Sequence, residues 1–261
     1  MRDNVRAFVQ AAAEAFGMAE VEGRPRGFID DGPIYEFGSY LVDDQQELAD
    51  LRPIFSGREY IGCDMRSGPG VDRVEDLASL SLPDHCARGI VCVDTLEHVF
   101  DVMQAMRQMW RVLAPGGIML VSVPMDFRIH AYPDDYWRLT PSCLARLFAP
   151  AAASVIGSQG VESHPHTAFA IAAKGPVEID FAAGAREFVD SFNAWLEHDR
   201  ADAPFRTRFK RRISFFRGKG ERRRQRDSHT ARFAVSLPVQ EPFPQPMGMS
   251  SGLGGRLDVW E

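Results

Sequence analysis

Acidic side chains recur at the ends of short apolar runs that have the form of β-strands. Glu36 lies in the run that ends at Gly38, and later runs end at or just before Asp64, Asp76 and Asp94. In an open parallel sheet, ligands bind beyond the carboxyl ends of the strands. A carboxylate such as Asp64, at the end of the second strand, offers only acceptors and therefore matches both hydroxyl donors of a ribose. The pattern predicts a nucleoside-binding cleft at this edge.

Two histidines are candidate general bases. An unperturbed imidazole titrates near a pH of about 6.5, so it can exchange a proton at neutral pH. His130 follows the fifth apolar run, in a loop where substrate-binding residues are expected. His98 stands before a helical stripe, and its alternative role is that of a helix-start histidine bonded to backbone. Both residues stay candidates at this point.

We expect neither a metal site nor a disulfide. The four cysteines are spread singly, without a C-x-x-C pair, at Cys63, Cys86, Cys92 and Cys143. His164 and His166 flank a proline, and no third ligand stands near them in the sequence. The cysteines in apolar runs are better explained as small buried side chains.

The elements that must position these residues alternate between strands and helices. Seven β-like stretches and the helical stripes between them predict a doubly wound, mostly parallel α/β sheet over about residues 30–175. A helix over 5–16 precedes the sheet, and Thr140 with Pro141 forms a good helix start. We expect a Rossmann-like domain over 1–175 and an extension over 176–261 that begins with an amphipathic helix.

Charge is distributed unevenly along the 261 residues. The segment 206–226 holds eleven basic residues and one acid, a net charge of +10, while the rest of the chain carries −16. Aromatic residues among these cations favour an anionic surface, either lipid headgroups or nucleic acid. The alternative is a solvated helix face that packs on the acidic body. Beyond Pro238, a stretch rich in Pro, Gly, Met and Ser predicts a tail.

Hydropathy indicates a globular class. The composition is 45% hydrophobic and 25% charged, and no apolar run approaches the roughly 18 residues that span a bilayer. The charged first residues lack the apolar stretch of a secretory signal. We therefore expect a cytoplasmic protein. The sequence carries no signal for a particular oligomeric state, so none is predicted.

A block in the middle of the chain resembles the class I S-adenosylmethionine-dependent methyltransferases. It reads Asp94-Thr-Leu-Glu-His98, then a helix, then Arg111-Val-Leu-Ala-Pro-Gly-Gly117, then a strand. In that family the block reads LEH, helix, RVLxPGG and strand. The segments 67–72 and 130–141 look like parts of a type 11-like bacterial subgroup, and the resemblance covers slightly over half of the chain.

The resemblance implies cofactor-binding roles for particular residues. Glu36 and Gly38 match the start of the family's glycine-rich cofactor loop, and Asp64 matches the acid that binds the ribose. Asp76 with Leu77 matches the segment at the adenine, and Asp94 with Thr95 matches the residues facing the methionine part. The positive sulfonium would lie among acids and aromatics, which include Glu36, Asp94 and Tyr40. These roles imply S-adenosylmethionine as the cofactor.

One departure from the family divides the functional hypotheses. The loop usually reads E-x-G-x-G-x-G, whereas here Tyr40 and Val42 replace two glycines. The first hypothesis is a methyltransferase that acts on a small molecule, a glycan or a lipid precursor. The second is a catalytically silent binding or regulatory module whose basic segment contacts an anionic surface. A nicotinamide-dependent dehydrogenase is set aside, because no G-x-G-x-x-G follows the first strand.

Overall fold

The computed structural model describes residues 2–19, 32–42, 46–130, 134–177, 180–202 and 230–237, with side chains up to residue 199 in the fifth of these ranges. Its strands are β1 Ile34–Phe37, β2 Tyr60–Asp64, β3 Arg73–Val74, β4 Ala87–Val93, β5 Leu113–Pro124, β6 Ala153–Val161, β7 His164–Ala173 and β8 Ala231–Ser236. Its α-helices are α1 Asp3–Ala15, α2 Gln46–Ala49, α3 Val102–Val112, α4 Pro141–Leu147 and α5 Phe181–Asp202, and 3₁₀ turns span Arg52–Phe55 and Leu96–His98.

The described strands form one sheet in the order β3-β2-β1-β4-β5-β7-β6-β8. Strands β1 to β5 are parallel, whereas β7 runs antiparallel to both β5 and β6. The order reverses between β1 and β4, which is the switch point where ligands bind in doubly wound sheets. The predicted doubly wound, mostly parallel sheet is confirmed.

The sheet differs from the expectation of seven strands, because β8 adds an eighth. It pairs antiparallel with β6 at the edge, from Ser154 opposite Ser236 to Gln159 opposite Ala231. Both β8 and α5 lie beyond residue 175, and both pack on the same body as the earlier elements. The sequence pattern did not mark β8, because its pairing partner lies about 75 residues away in the chain.

Both faces of the sheet are covered by helices. One core joins α1 and α5 to alternate residues of the strands, with Phe8, Phe188 and Phe192 at its centre. The other core joins α3 and α4 to the remaining strand residues, including Cys92. Alternation along a strand sends neighbouring residues to opposite faces, so β4 is buried on both sides. Burial on both faces holds the strands in this order, in which the ends of β2, β1 and β4 are neighbours.

Local signals set several element boundaries. The Thr140 side chain accepts from the Cys143 N–H and caps α4, as predicted. Asp101 caps α3 by accepting from the Gln104 N–H. The helix ends at Val112, and β5 starts with the next residue rather than after Pro115. Among the described residues, no helix combines the length and apolarity needed to cross a membrane. The basic segment 206–226 and the tail beyond Pro238 lie outside the described residues.

Candidate functional site

The tips of β1 and β4 are joined where the cofactor loop was predicted. Gly38 has a φ of +91°, and a Cβ there would lie 2.1 Å from Oγ1 of Thr95. The Thr95 hydroxyl donates to the carbonyls of Phe37 at 3.1 Å and Val93 at 2.9 Å. Only glycine combines this positive φ with so close an approach. The predicted pair of Gly38 and Thr95 is thus in direct contact.

The end of β2 brings Tyr40 and Asp64 together. The backbone N–H of Tyr40 points to Oδ2 of Asp64 at 3.4 Å, and the N–H of Arg66 donates to Oδ1 at 3.0 Å. The Arg66 guanidinium lies over the Tyr40 ring, 4.3 Å from its centroid. The ring also packs against Gly68, where a Cβ would lie 2.4 Å from Cε2 of Tyr40. Tyr40 and Arg66 therefore form a cover beside the Asp64 carboxylate.

Glu36 lies in the interior, on the face of β1 that it shares with Ile34. Its carboxylate accepts from the Tyr60 hydroxyl at 2.9 Å. Burial raises the pKa of Glu36 to about 7, and the Tyr60 hydrogen bond and the nearby Arg52 oppose this rise. The structure thus gives Glu36 a partner in the core at Tyr60, a contact that the sequence did not indicate.

Asp94 closes β4 in a backbone conformation that few non-glycine residues adopt, with a φ of +48°. Its carboxylate accepts from the Ser122 hydroxyl at 3.2 Å and lies 3.7 Å from Nη2 of Arg2. The Arg2 guanidinium also lies 5.4 Å from the centre of the Phe127 ring. Its Nη2 atom is buried without a hydrogen-bond partner. The start of α1 thereby reaches the tip of β4.

The predicted adenine segment forms a turn after β3. One carboxylate oxygen of Asp76 accepts from the Ala78 N–H at 2.9 Å, and its carbonyl accepts from the Ser79 N–H. Leu77 is buried and packs in the core that holds α3. This turn presents its backbone beside the end of the neighbouring strand β2.

The two candidate bases meet beyond the ends of β4 and β5. The rings of His98 and His130 pack edge to face with centroids 4.7 Å apart. The Nδ1 atom of His98 is bonded to the carbonyl of Asp134 at 2.5 Å. Burial lowers the pKa of His98, although the Asp134 carbonyl opposes that shift. His98 therefore makes the backbone hydrogen bond expected of a helix-start histidine, and its ring also packs against that of His130.

An aspartate and an arginine orient His130. The Nδ1 atom of His130 lies 3.0 Å from Oδ2 of Asp135, which also accepts from the His130 backbone N–H. Arg138 donates to both oxygens of that carboxylate, at 2.5 and 2.7 Å. The Arg138 guanidinium holds the pKa of Asp135 well below its ordinary value. An ionised Asp135 fixes the ring of His130 so that Nε2 is its free nitrogen.

Glu97 completes this group, and the sequence analysis assigned it no role. Its side chain is 1% exposed, and neither carboxylate oxygen has a hydrogen-bond partner. Burial and the nearby Asp94 carboxylate raise the pKa of Glu97 to about 8. Its Oε1 atom lies 3.7 Å from Nε2 of His98. The signal was an acid between the apolar Leu96 and the histidine, in a block already noted for its resemblance.

Comparison with known proteins agrees with this arrangement. Residues 58–121, from just before β2 to the middle of β5, match the family described as a methyltransferase domain. The same span contains Asp64, Asp94 and the 3₁₀ turn of Glu97 and His98. Residues 58–121 are thus similar to an S-adenosylmethionine-dependent methyltransferase domain.

This chain is similar to a protein from Mycolicibacterium smegmatis that is named a probable S-adenosylmethionine-dependent methyltransferase. The two are 33% identical over 138 residues, which cover 52% of this chain and 51% of the relative. The chain thus matches about half the length of that curated relative.

Two solved structures are also similar to the chain. A methyltransferase from Archaeoglobus fulgidus is 13% identical, with a TM-score of 0.45 and coverage of 65% of this chain and 94% of the other. One from Aquifex aeolicus is 11% identical, with a TM-score of 0.40 and coverage of 66% and 100%.

The residues at the strand tips fit S-adenosylmethionine, the cofactor of the matched methyltransferase family. Asp64 offers carboxylate oxygens for the ribose, and Gly38, with its positive φ, lets the loop after β1 turn tightly against Thr95. The buried, unpartnered Nη2 of Arg2 is a donor suited to the carboxylate of the methionine part. Nε of Arg66 lies 3.4 Å from Oδ1 of Asp64, so this side chain stands beside the carboxylate that the ribose would use.

Aromatic side chains form an exposed rim beside the histidines. Phe100 is 71% exposed, and its ring contacts those of Tyr136 and Trp137. The backbone N–H groups of Tyr136 and Trp137 both point to the carbonyl of Glu97. Ile129, which precedes His130, is 87% exposed. The chain thus has an apolar surface next to the two histidines.

Proposed function

We propose that this chain transfers a methyl group from S-adenosylmethionine to an oxygen of an acceptor held beside His98 and His130. The observation that carries the proposal is the meeting, at one end of the sheet, of the tips of β1, β2 and β4 with this histidine pair. Ligands of doubly wound sheets bind at that end. The matched methyltransferase domain supports the choice of cofactor.

The chain's own residues would do three things in this reaction. Asp64 and Gly38 position the adenosine, and Arg2 with Asp94 positions the methionine part. When bound, S-adenosylmethionine supplies an activated methyl group whose carbon–sulfur bond breaks with its electron pair left on a neutral thioether. Because the donor is already activated, much of the acceleration comes from holding the acceptor oxygen in line with that methyl group. The histidine pair with Glu97 is placed to hold the oxygen.

Among the three acceptor classes expected from the sequence, a lipid precursor is supported best. Phe100, Trp137 and Ile129 present apolar surface to solvent beside the histidines. Exposed apolar patches of this kind mark binding grooves or membrane contacts. The basic segment 206–226, with a net charge of +10, would then attract an anionic membrane that contains the acceptor.

Calorimetry tests cofactor binding directly. S-adenosylmethionine and its demethylated product are titrated into the wild-type chain, Asp64→Asn and Asp101→Asn. Asn offers amide donors where the ribose needs acceptors, so Asp64→Asn should weaken binding at least 10-fold. Asp101→Asn makes the same chemical change at the α3 cap, where Asn also caps well, and should bind normally. No heat from the wild-type chain at millimolar ligand would refute the proposal.

The acceptor class needs a separate experiment. The chain is incubated with methyl-labelled S-adenosylmethionine and an extract of cells that naturally produce it, and the products are divided between organic and aqueous phases. Label should enter the organic phase and should fall at least 10-fold with Phe100→Ser. Label that remains in the aqueous phase would favour a small molecule or a glycan instead.

The second candidate is a catalytically silent module of the same fold. It is favoured by Tyr40, which stands where the family's loop has a glycine and which lies with Arg66 beside Asp64. In that case S-adenosylmethionine should not bind to the wild-type chain, and Tyr40→Gly should restore binding. Binding to the wild-type chain followed by label transfer would exclude the silent module.

A further inference from the structure

The cluster of Glu97, His98 and His130 has the composition of a metal site, although the sequence predicted none. One potential ligand atom from each of these residues lies within 4.8 Å of those from the other two. Two imidazoles and a carboxylate form a common ligand set for Zn²⁺ and other divalent transition metals. Such a set leaves coordination positions open, as in catalytic metal sites.

Glu97 provides a second and independent sign of a bound cation. Its side chain is 1% exposed, and both oxygens lack a hydrogen-bond partner. A buried carboxyl group without a hydrogen-bond partner is costly in either protonation state, because it has lost its hydration without compensation. A divalent cation would supply the missing contacts to the Glu97 oxygens.

The contacts behind the two histidines are those of metal ligands. Metal-binding histidines usually donate their second ring N–H to a carboxylate or a backbone carbonyl. Here Nδ1 of His98 is bonded to the Asp134 carbonyl, and Nδ1 of His130 is bonded to Asp135. In both rings Nε2 is therefore the nitrogen that can bind a metal. Nε2 of His98 lies 3.7 Å from Oε1 of Glu97.

We propose that Glu97, Nε2 of His98 and Nε2 of His130 bind a divalent transition-metal ion at the acceptor site. With bonds of about 2.0–2.2 Å, neighbouring ligand atoms would be about 3 to 3.5 Å apart, so the ligand atoms have to approach one another by at most about 2 Å. The Asp135 carboxylate, held by Arg138, acts on the metal through His130 and is a positioning residue.

The ion would act on the acceptor oxygen. This role rests on the proposed methyl transfer, whereas the binding of the ion to Glu97, His98 and His130 does not. Coordination to a divalent cation lowers the pKa of a hydroxyl group. The acceptor's O–H bond then breaks and its proton passes to water. A new oxygen–carbon bond forms as the carbon–sulfur bond breaks, and the electron pair of that bond goes to sulfur. Neither oxidant nor reductant is needed.

Zn²⁺ binding to the tag-free chain tests the site without an acceptor. One Zn²⁺ per chain should bind, at least 100-fold more weakly with Glu97→Gln or His98→Ala and equally well with His164→Ala, which removes an exposed histidine elsewhere. Mg²⁺ should bind far more weakly, because imidazole is a poor ligand for it. Equal Zn²⁺ affinity in all variants, or Mg²⁺ binding as tight as Zn²⁺ binding, would overturn the assignment.

Two further measurements do not depend on removing a ligand. X-ray absorption of the Zn²⁺-loaded wild-type chain should show two imidazoles and a carboxylate, and any sulfur ligand would overturn the site. Asp135→Asn keeps all three ligands, so it should weaken Zn²⁺ binding 10- to 100-fold and shift the visible spectrum of bound Co²⁺. An unchanged spectrum and an unchanged affinity would show that Asp135 does not position His130 for the metal.

The same samples separate the two proposals. S-adenosylmethionine binding is measured on each of them by calorimetry. A chain that binds the cofactor but no Zn²⁺ refutes the metal site alone. A chain that binds Zn²⁺ but no cofactor refutes the proposed function and leaves the metal site standing.

Discussion

The Nη2 atom of Arg2 lies 3.7 Å from Oδ1 of Asp94, so the start of helix α1 reaches the tip of strand β4. The pair is more than half buried, since the two side chains are 26% and 19% exposed. It stands where the proposed function requires the methionine part of the cofactor, at the end of the sheet that also carries His98. This contact leads to the first prediction.

Arg2→Ala should weaken binding of S-adenosylmethionine about 5- to 30-fold, because a charge-assisted hydrogen bond contributes roughly 1–2 kcal/mol. It should leave 5′-methylthioadenosine, which lacks the amino-acid part, unaffected. Asp64→Asn serves as the control, because it should weaken both ligands through the ribose. Calorimetry with the two ligands checks this, and equal losses for Arg2→Ala would show that the arginine is only structural.

Gly38→Ala should destabilise the chain more than Gly116→Ala does. Both glycines have a positive φ, +91° and +74°, so both substitutions add backbone strain of about 1–2 kcal/mol. A Cβ at Gly38 also meets Thr95 at 2.1 Å, whereas one at Gly116 has no neighbour nearer than 3.5 Å. We expect a further loss of about 1–3 kcal/mol at Gly38 from overpacking.

Urea unfolding measures both losses of stability, and calorimetry should show cofactor binding abolished only by Gly38→Ala. Equal losses of stability in the two variants would mean that the loop accommodates the added methyl group with no further loss of unfolding free energy. The contact with Thr95 would then be unimportant.

Glu36→Gln should change how stability depends on pH. The folded pKa of Glu36 is about 7, above the ordinary value of 4.5, so the folded state holds the proton more tightly than the unfolded state does. The contribution of Glu36 to stability is therefore full below pH 4.5 and falls as the pH rises to about 7. At higher pH the loss is constant, at about 3 kcal/mol.

Glutamine cannot ionise, so the stability of Glu36→Gln relative to wild type should rise between pH 5 and pH 8. Urea unfolding at several pH values measures this difference. Because both proteins retain Glu97, whose pKa is also raised, subtraction isolates Glu36. A difference independent of pH would show that Glu36 is ionised in the core.

Arg138→Ala should destabilise the loop that holds His130. Asp135 is 2% exposed on its side chain, and Arg138 donates to both of its oxygens. Removing the cation leaves a buried carboxylate with fewer partners, at a cost of about 3 kcal/mol. Arg107→Ala, which removes an exposed arginine of α3, should cost less than about 0.5 kcal/mol. Similar losses in the two variants would contradict this account of the Arg138 contact.

Much of the sheet could be predicted because its signals are local. Buried apolar runs marked β2, β4 and β5, and Thr140 with Pro141 marked the start of α4. The early start of β5 at Leu113 could not be predicted, because Pro115 and Gly116 ordinarily signal a turn. Their place in the strand depends on pairing with β4, which is a tertiary contact.

The site was predictable only in part, for the same reason. Strand ends placed Asp64 and Asp94 correctly at one edge, because parallel strands align their carboxyl ends. The partners of the cofactor-binding candidates come from distant segments, such as Tyr60 for Glu36 and Arg2 for Asp94. Glu97 showed no signal of its own beyond an acid in an apolar setting, and its environment emerges only after folding.

The structure of the chain with the demethylated product of the cofactor tests the central claim most directly. The account predicts ribose hydroxyls on the Asp64 carboxylate, the amino-acid part between Arg2 and Asp94, and the sulfur directed to Glu97, His98 and His130. Tyr40 and Arg66 should have moved off Asp64. A nucleoside bound elsewhere on the chain, with Arg66 still paired to Asp64, would contradict the claim.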